Sequence, residues 1–179
     1  MRWSNVIAGH EPAIIALVTA AFADAQGVAE GELVGGLVRH QLAGTAPADI
    51  HVFTAVEHDV LAGVAVFTRL RYANDPRVVF ILSPMAVATW RQRQGIGQGL
   101  LRHALAELRV AGVDVVTTYG DPAFYGHVGF APISIATVPA PLPLSQPMGW
   151  LGQSLTGHPL TQLQGPATCV AALHDPRFW

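Results

Sequence analysis

Gln92-Arg93-Gln94-Gly95-Ile96-Gly97 stands between two different hydrophobic patterns. Before it, residues 78 to 87 are uncharged and apolar at nearly every position, as in a strand buried on both faces. After it, Ile96, Leu100, Leu101, Ala104, Leu105 and Leu108 recur at helical spacing. Gln98, Arg102, His103, Glu107 and Arg109 fall largely off that stripe. Gly112 is a natural helix stop, and Val113 to Tyr119 reads as the next strand. Strand, helix and strand make a crossover unit, which is right-handed when its strands are parallel. Pro84 lies inside the first strand and cannot donate to a ladder, so a bend or bulge is expected there.

The glycines therefore open a helix. Free N–H groups at a helix start, with the macrodipole, favour an anion. Glycine lets a ligand approach the backbone closely. Arg93, and Arg91 beside it, can add charge-assisted bonds to phosphate. Taken alone, Gly-x-Gly fits a plain tight turn as well. A Rossmann fingerprint fails, because its third glycine would fall on Leu100. The ten basic residues are all arginine. Without lysine there is no Walker A loop and no Schiff-base nucleophile.

Outward from this unit, Met1 to Ile7 reads as a short strand and Glu11 to Ala25 as a largely apolar helix. Glu30 to Leu42 reads as a second helix, with Leu33, Val34, Leu37 and Val38 at helical spacing. Pro47 breaks the chain. Ile50 to Val56 and Val60 to Arg69 form a hairpin across Glu57-His58-Asp59. Asn74-Asp75-Pro76 is a further turn. At 179 residues with 51% hydrophobic content, the chain can build a real core. A net charge of −2 gives no basic field for nucleic acid. The longest apolar run, Pro12 to Ala23, is too short to span a bilayer, which needs about 20 residues. One cysteine, Cys169, permits no internal disulfide and suits a cytoplasmic location. The eight histidines are scattered without ligand spacing, so no metal is expected.

Gly120-Asp121-Pro122-Ala123-Phe124-Tyr125-Gly126-His127-Val128-Gly129-Phe130 follows the strand Val113 to Tyr119. Three segments taken in order resemble the GNAT superfamily of N-acetyltransferases. Leu82-Ser83-Pro84-Met85-Ala86-Val87 is similar to its L-x-P-L-A-V strand. Gln92 to Gly97 is similar to its Q/R-x-x-G-x-G/A loop. The Phe-Tyr-x-x-x-Gly-Phe segment ending at Phe130 looks like the Gly-Asp-Pro-x-Phe-Tyr signature of a bacterial subgroup of N-acetyltransferases. The motifs span roughly residues 78 to 132 and say little about the acceptor.

The resemblance implies an α/β (α+β) fold. Its mixed, mostly antiparallel sheet would be flanked by helices, with two central parallel strands splayed apart. It implies acetyl-CoA as cosubstrate. Gln92, Arg93, Gln94, Gly95, Ile96 and Gly97 would hold the pyrophosphate. Met85, Ala86 and Val87 would pair with the pantetheine arm, and Asp121 and Phe124 would also lie against the cofactor. Core packing is the other reading of Met85 and Val87. Tyr125 would be the catalytic acid that protonates the leaving thiolate, or else an aromatic packed on Phe124. Many relatives carry a glutamate base on the central strand, whereas residues 78 to 90 hold no carboxylate. His51, Glu57, Asp121 and His127 are candidates with none preferred, and Asp121 can simply bond the turn backbone.

Residues 1–135 form the expected core. Residues 136–179 form a proline-rich arm of the same domain, holding eight of the thirteen prolines once Pro132 is included. Pro139 to Pro143 should be extended, and Met148 to Leu151 with Leu155 should make an apolar cluster with a helical turn. Pro166 to Leu173 should form a last strand. Phe178 and Trp179 should be docked. The whole implies direct acetyl transfer to a small-molecule amine, with neither nucleic acid nor membrane as partner, and is compatible with a homodimer. The competing reading is a GNAT-fold module that binds acyl-CoA without turnover.

Overall fold

The computed structural model describes residues 1–5 and 7–179. Its strands are β1 (Arg2–Ser4), β2 (Ile50–Glu57), β3 (Val60–Tyr72), β4 (Val79–Val87), β5 (Val115–Tyr119), β6 (Ala131–Pro132), β7 (Trp150–Ser154) and β8 (Ala167–Cys169). Its helices are α1 (Glu11–Gln26), α2 (Val28–Gly44), α3 (Ile96–Val110) and α4 (Pro122–Gly126). The chain divides into two compact units, residues 1–67 with 84–104 and residues 68–83 with 105–179. The sheet is mostly antiparallel, with the parallel pair β4–β5, and helices flank it, as expected.

In the first unit the strand order is β1-β2-β3-β4. β1 runs antiparallel to β2, Trp3 opposite Ala55. Val6 lies outside the described residues, and the short strand expected there is seen as β1. The hairpin β2–β3 turns at His58 and Asp59, whose φ angles of 48° and 61° supply the twist a two-residue turn needs. Ile14, Val18 and Ala21 of α1 and Val34 and Val38 of α2 pack on Val52, Val64, Val66 and Ala86 of the strands. Val64 and Val66, two apart on β3, share the face that packs on the helices.

In the second unit β5 lies between β4 and β7, and β6 follows β7. α3 ends as its glycine suggests. The Gly112 N–H donates to the Arg109 carbonyl and the Val113 N–H to the Leu108 carbonyl, a Schellman pattern. All six residues of the α3 stripe are buried.

The segment around Phe124 and Tyr125 forms the short helix α4, capped by Asp121. Two expectations need correction. The cluster at Met148 to Leu151 is a single turn, Pro147–Gly149, leading into a strand. Trp150 and Leu151 are buried there, while Met148 is 87% exposed. The last strand is only Ala167–Cys169, antiparallel to the end of β3, and Ala171–Leu173 turns as a 3-10 helix. Short strands interrupted by proline leave too little periodicity to read. Trp179 is docked: its ring lies 6.1 Å from that of Trp150, and its Nε1–H donates to the Leu173 carbonyl at 2.8 Å.

Candidate active site

β4 and β5 are in parallel register from Val79–Val115 to Leu82–Thr118. The ladder is registered no further, yet β4 runs on to Val87. At that point β5 gives its last residue, Tyr119, to β7 opposite Trp150. Pro84 sits just past the last registered pair, where no ladder donor is required of it. Ala86 is buried in the core of the first unit, while Met85 and Val87 are half-buried.

Beyond β4, the Gln92 side chain donates from Nε2 to the Val87 carbonyl at 3.1 Å and folds the loop back on the strand end. Arg93 and Gly95 both take left-handed backbone, φ 61° and 78°. Arginine pays for that conformation and glycine does not. The first helical bond of α3 runs from the Gly99 N–H to the Gly95 carbonyl at 2.9 Å. The N–H groups of Ile96, Gly97 and Gln98 therefore have no acceptor within the helix. Arg93 and Gln94 are exposed beside them. Arg91 is not free for phosphate: it pairs with Glu57 and lies 5.4 Å from the Trp90 ring centroid. The same pairing occupies Glu57, one of the four base candidates.

In the second unit, the Asp121 carboxylate accepts from the Ala123 N–H at 2.9 Å. Its observed work is capping α4. The Tyr125 ring is half-buried and stands edge-on to Phe124 and Phe130, with centroids 5.1 and 5.6 Å away. Its third wall is Gly120. A Cβ there would lie 2.7 Å from Tyr125 Cε2. Burial pushes the phenol above its ordinary value, Thr118 opposes that rise, and the Asp121 charge adds to it. Sequence reading missed Gly120.

The other base candidates show no shared site. His51 belongs to the first unit, stacks on Phe53 at 6.4 Å and is driven toward its neutral form by burial. His127 is exposed after α4. Among the described residues no group of three or more His, Cys, Asp or Glu gathers to hold a metal ion, and no helix is long and apolar enough to cross a membrane.

Residues 48–132 match the sequence model of the acetyltransferase (GNAT) domain. An N-acetyltransferase of Escherichia coli strain K12, the uncharacterized YjhQ, is 33% identical over 113 residues, 60% of this chain; the match spans 62% of that relative's length. A GNAT family acetyltransferase from Brucella melitensis, solved in complex with acetyl-CoA, has a TM-score of 0.73 and 23% identity, covering 96% of each chain. The GNAT family N-acetyltransferase YhbS of Escherichia coli, solved with CoA, has a TM-score of 0.76 and 21% identity, covering 97% of this chain and 91% of its own. The ladder that stops at Leu82–Thr118, the helix start at Gly95 and the tyrosine after β5 thus lie in a chain with the GNAT fold, whose residues 48–132 match the GNAT acetyltransferase domain.

Proposed function

We infer that this chain transfers an acetyl group from acetyl-CoA to the amine of a small molecule. The observation that carries the reading is the β4 edge. The strand runs five residues past its last registered pair with β5, Ser83 to Val87, and leads through the 3-10 turn Thr89–Arg91 and residues 92–95 into a helix start with N–H donors that have no acceptor within the helix. An extended pantetheine arm can add to such an edge by backbone pairing. A pyrophosphate suits the N–H groups at Ile96 and Gly97, with Arg93 and Gln94 alongside. The complexes of the Brucella protein with acetyl-CoA and of YhbS with CoA support the same cosubstrate. Met85, Ala86 and Val87 would serve through their main chain, which lets Ala86 remain in the core. Asp121 would serve by fixing α4, and Phe124 by packing.

The chemistry needs few groups. The neutral amine attacks the thioester carbonyl, and the C–S bond breaks as the C–N bond forms. The thiolate takes the proton of Tyr125, and the nitrogen releases its surplus proton to water. The phenolate then recovers one from water, so the protons balance. A β4 without a carboxylate leaves water as the carrier of the amine proton. The single cysteine suits a cytoplasmic setting.

The test is CoA release from acetyl-CoA across a panel of primary amines. The wild-type protein should release CoA in an amine-dependent way. Tyr125→Phe should lower kcat by about 100-fold, the usual worth of a general acid. Acetyl-CoA binding with no amine-dependent release by the wild type would instead make the protein a non-catalytic acyl-CoA-binding module.

A further inference from the structure

Between Asp121 and Asp175 the chain carries no Asp, Glu, Lys or Arg. An average soluble domain is about one-quarter charged. This long neutral stretch builds α4, β6, β7 and β8, and between β6 and β7 it forms a proline-rich strap, residues 139–149. Aromatic side chains of the same unit pin the strap at both ends. At its start, the Tyr72 hydroxyl donates to the Pro139 carbonyl at 2.8 Å, and Trp150 Nε1–H donates to the Val138 carbonyl at 2.9 Å. At its end, the Tyr119 hydroxyl accepts from the Gln146 N–H and bonds Ser145 Oγ at 3.0 Å. The Gly120 N–H donates to the Gly149 carbonyl at 2.9 Å. Gly120 is also the residue whose Cβ would strike the Tyr125 ring. One glycine therefore touches both the strap and the tyrosine. Beside that contact Ser145, Gln146, Pro147 and Met148 are exposed, Met148 at 87%.

We propose that the acceptor is a monoamine on an uncharged, apolar body, and that Met148 on this strap covers that body. The proposal rests on the amine acetyltransferase reading above, in which Tyr125 marks the reacting end. The amine and acetyl-CoA give the N-acetyl amide and CoA: the C–N bond forms, the C–S bond breaks, the nitrogen gives up one proton and the sulfur gains one. The rest of the acceptor then lies near Tyr125, beside the strap. A second ammonium group there would leave water for a surface with no charge to meet it, which costs free energy. Asp121, the carboxylate at this end of β5, already takes the Ala123 N–H as the cap of α4. Hydrocarbon laid on Met148 gains as apolar area leaves water, and the flexible thioether adapts to its shape. The pinned strap loses little freedom when it is covered.

Ethylamine, butylamine and hexylamine have nearly the same basicity, so the series isolates the hydrocarbon. In CoA-release assays kcat/KM should rise about threefold per added methylene, as one buried CH2 predicts. Hexamethylenediamine should fall below hexylamine by about tenfold or more. Met148→Ser should flatten the rise with chain length, and Met148→Glu should narrow or reverse the preference for hexylamine over the diamine. Both variants change an exposed side chain, so their melting temperatures should match the wild type. A wild type whose kcat/KM ignores chain length, or that prefers the diamine, would overturn the proposal while leaving acetyl transfer standing. So would a chain-length rise that Met148→Ser leaves intact. No release with any amine would remove the transfer reading itself, and this proposal with it.

Discussion

Gly120 shows how much of a site can rest on one missing methyl group. A Cβ at this position would fall 2.7 Å from Tyr125 Cε2. Real carbon contacts do not come that close, so the ring or the backbone must shift. If Tyr125 is the acid proposed above, Gly120→Ala should leave acetyl-CoA binding intact and cut kcat about tenfold or more, because a displacement near 1 Å would misalign it. Steady-state kinetics with an accepted amine separates the two effects. An alanine variant with normal kcat would mean that the ring position is unimportant. Tyr125 stands out in the sequence through the family resemblance of its Phe-Tyr segment, and its acid role is the proposal. Gly120 does not stand out. Its contact with the ring exists only through the turn of β5 into α4, and no local pattern encodes such a contact.

At the scale of elements, the turn between β3 and β4 is clamped to the tail. Arg77 and Asp75 form a close pair, Nη2 to Oδ2 2.6 Å. Arg77 also donates to the Thr161 and Gln162 carbonyls at 3.2 and 2.7 Å. The Gln164 N–H donates to Asp75 at 3.0 Å. The Arg77 guanidinium and these N–H donors hold the Asp75 carboxyl down, at about 2. The group is depressed in the folded state, so its stabilisation is complete above its unfolded value near 4 and vanishes as pH falls through about 2. After allowance for solvent screening it contributes on the order of 1–2 kcal/mol. Asp75→Asn should lower the melting temperature by a few degrees at neutral pH. It should also flatten the fall in stability between about pH 4 and 2 relative to wild type. Thermal melts across that window check both; superimposable acid profiles would show that the clamp contributes nothing. A turn at Asn74-Asp75-Pro76 was readable from composition. Its partner was not, because residues 161–164 are more than eighty positions away and carry no periodic signal of their own.

Across the whole molecule, what was readable is what repeats. The hairpin across Glu57-His58-Asp59, the α3 stripe and the Gly112 stop each encode local geometry, and each appears where the pattern put it. The glycine loop was readable as a helix opening by its place between strand and helix, and its binding of an anion is the proposal. The tail was poorly readable because proline removes both ladder donors and helical continuity. The central claim is that the open β4 edge and the helix start at Gly95 hold acetyl-CoA. Thermal unfolding with saturating acetyl-CoA, CoA or ATP tests it most directly. A ligand at about 100 times its dissociation constant adds about 2.7 kcal/mol, a shift of several degrees for a chain of this size. The account predicts that shift with acetyl-CoA and with CoA, and none with ATP. An unchanged melting temperature with both thioester and thiol, or an equal shift with ATP, would contradict it.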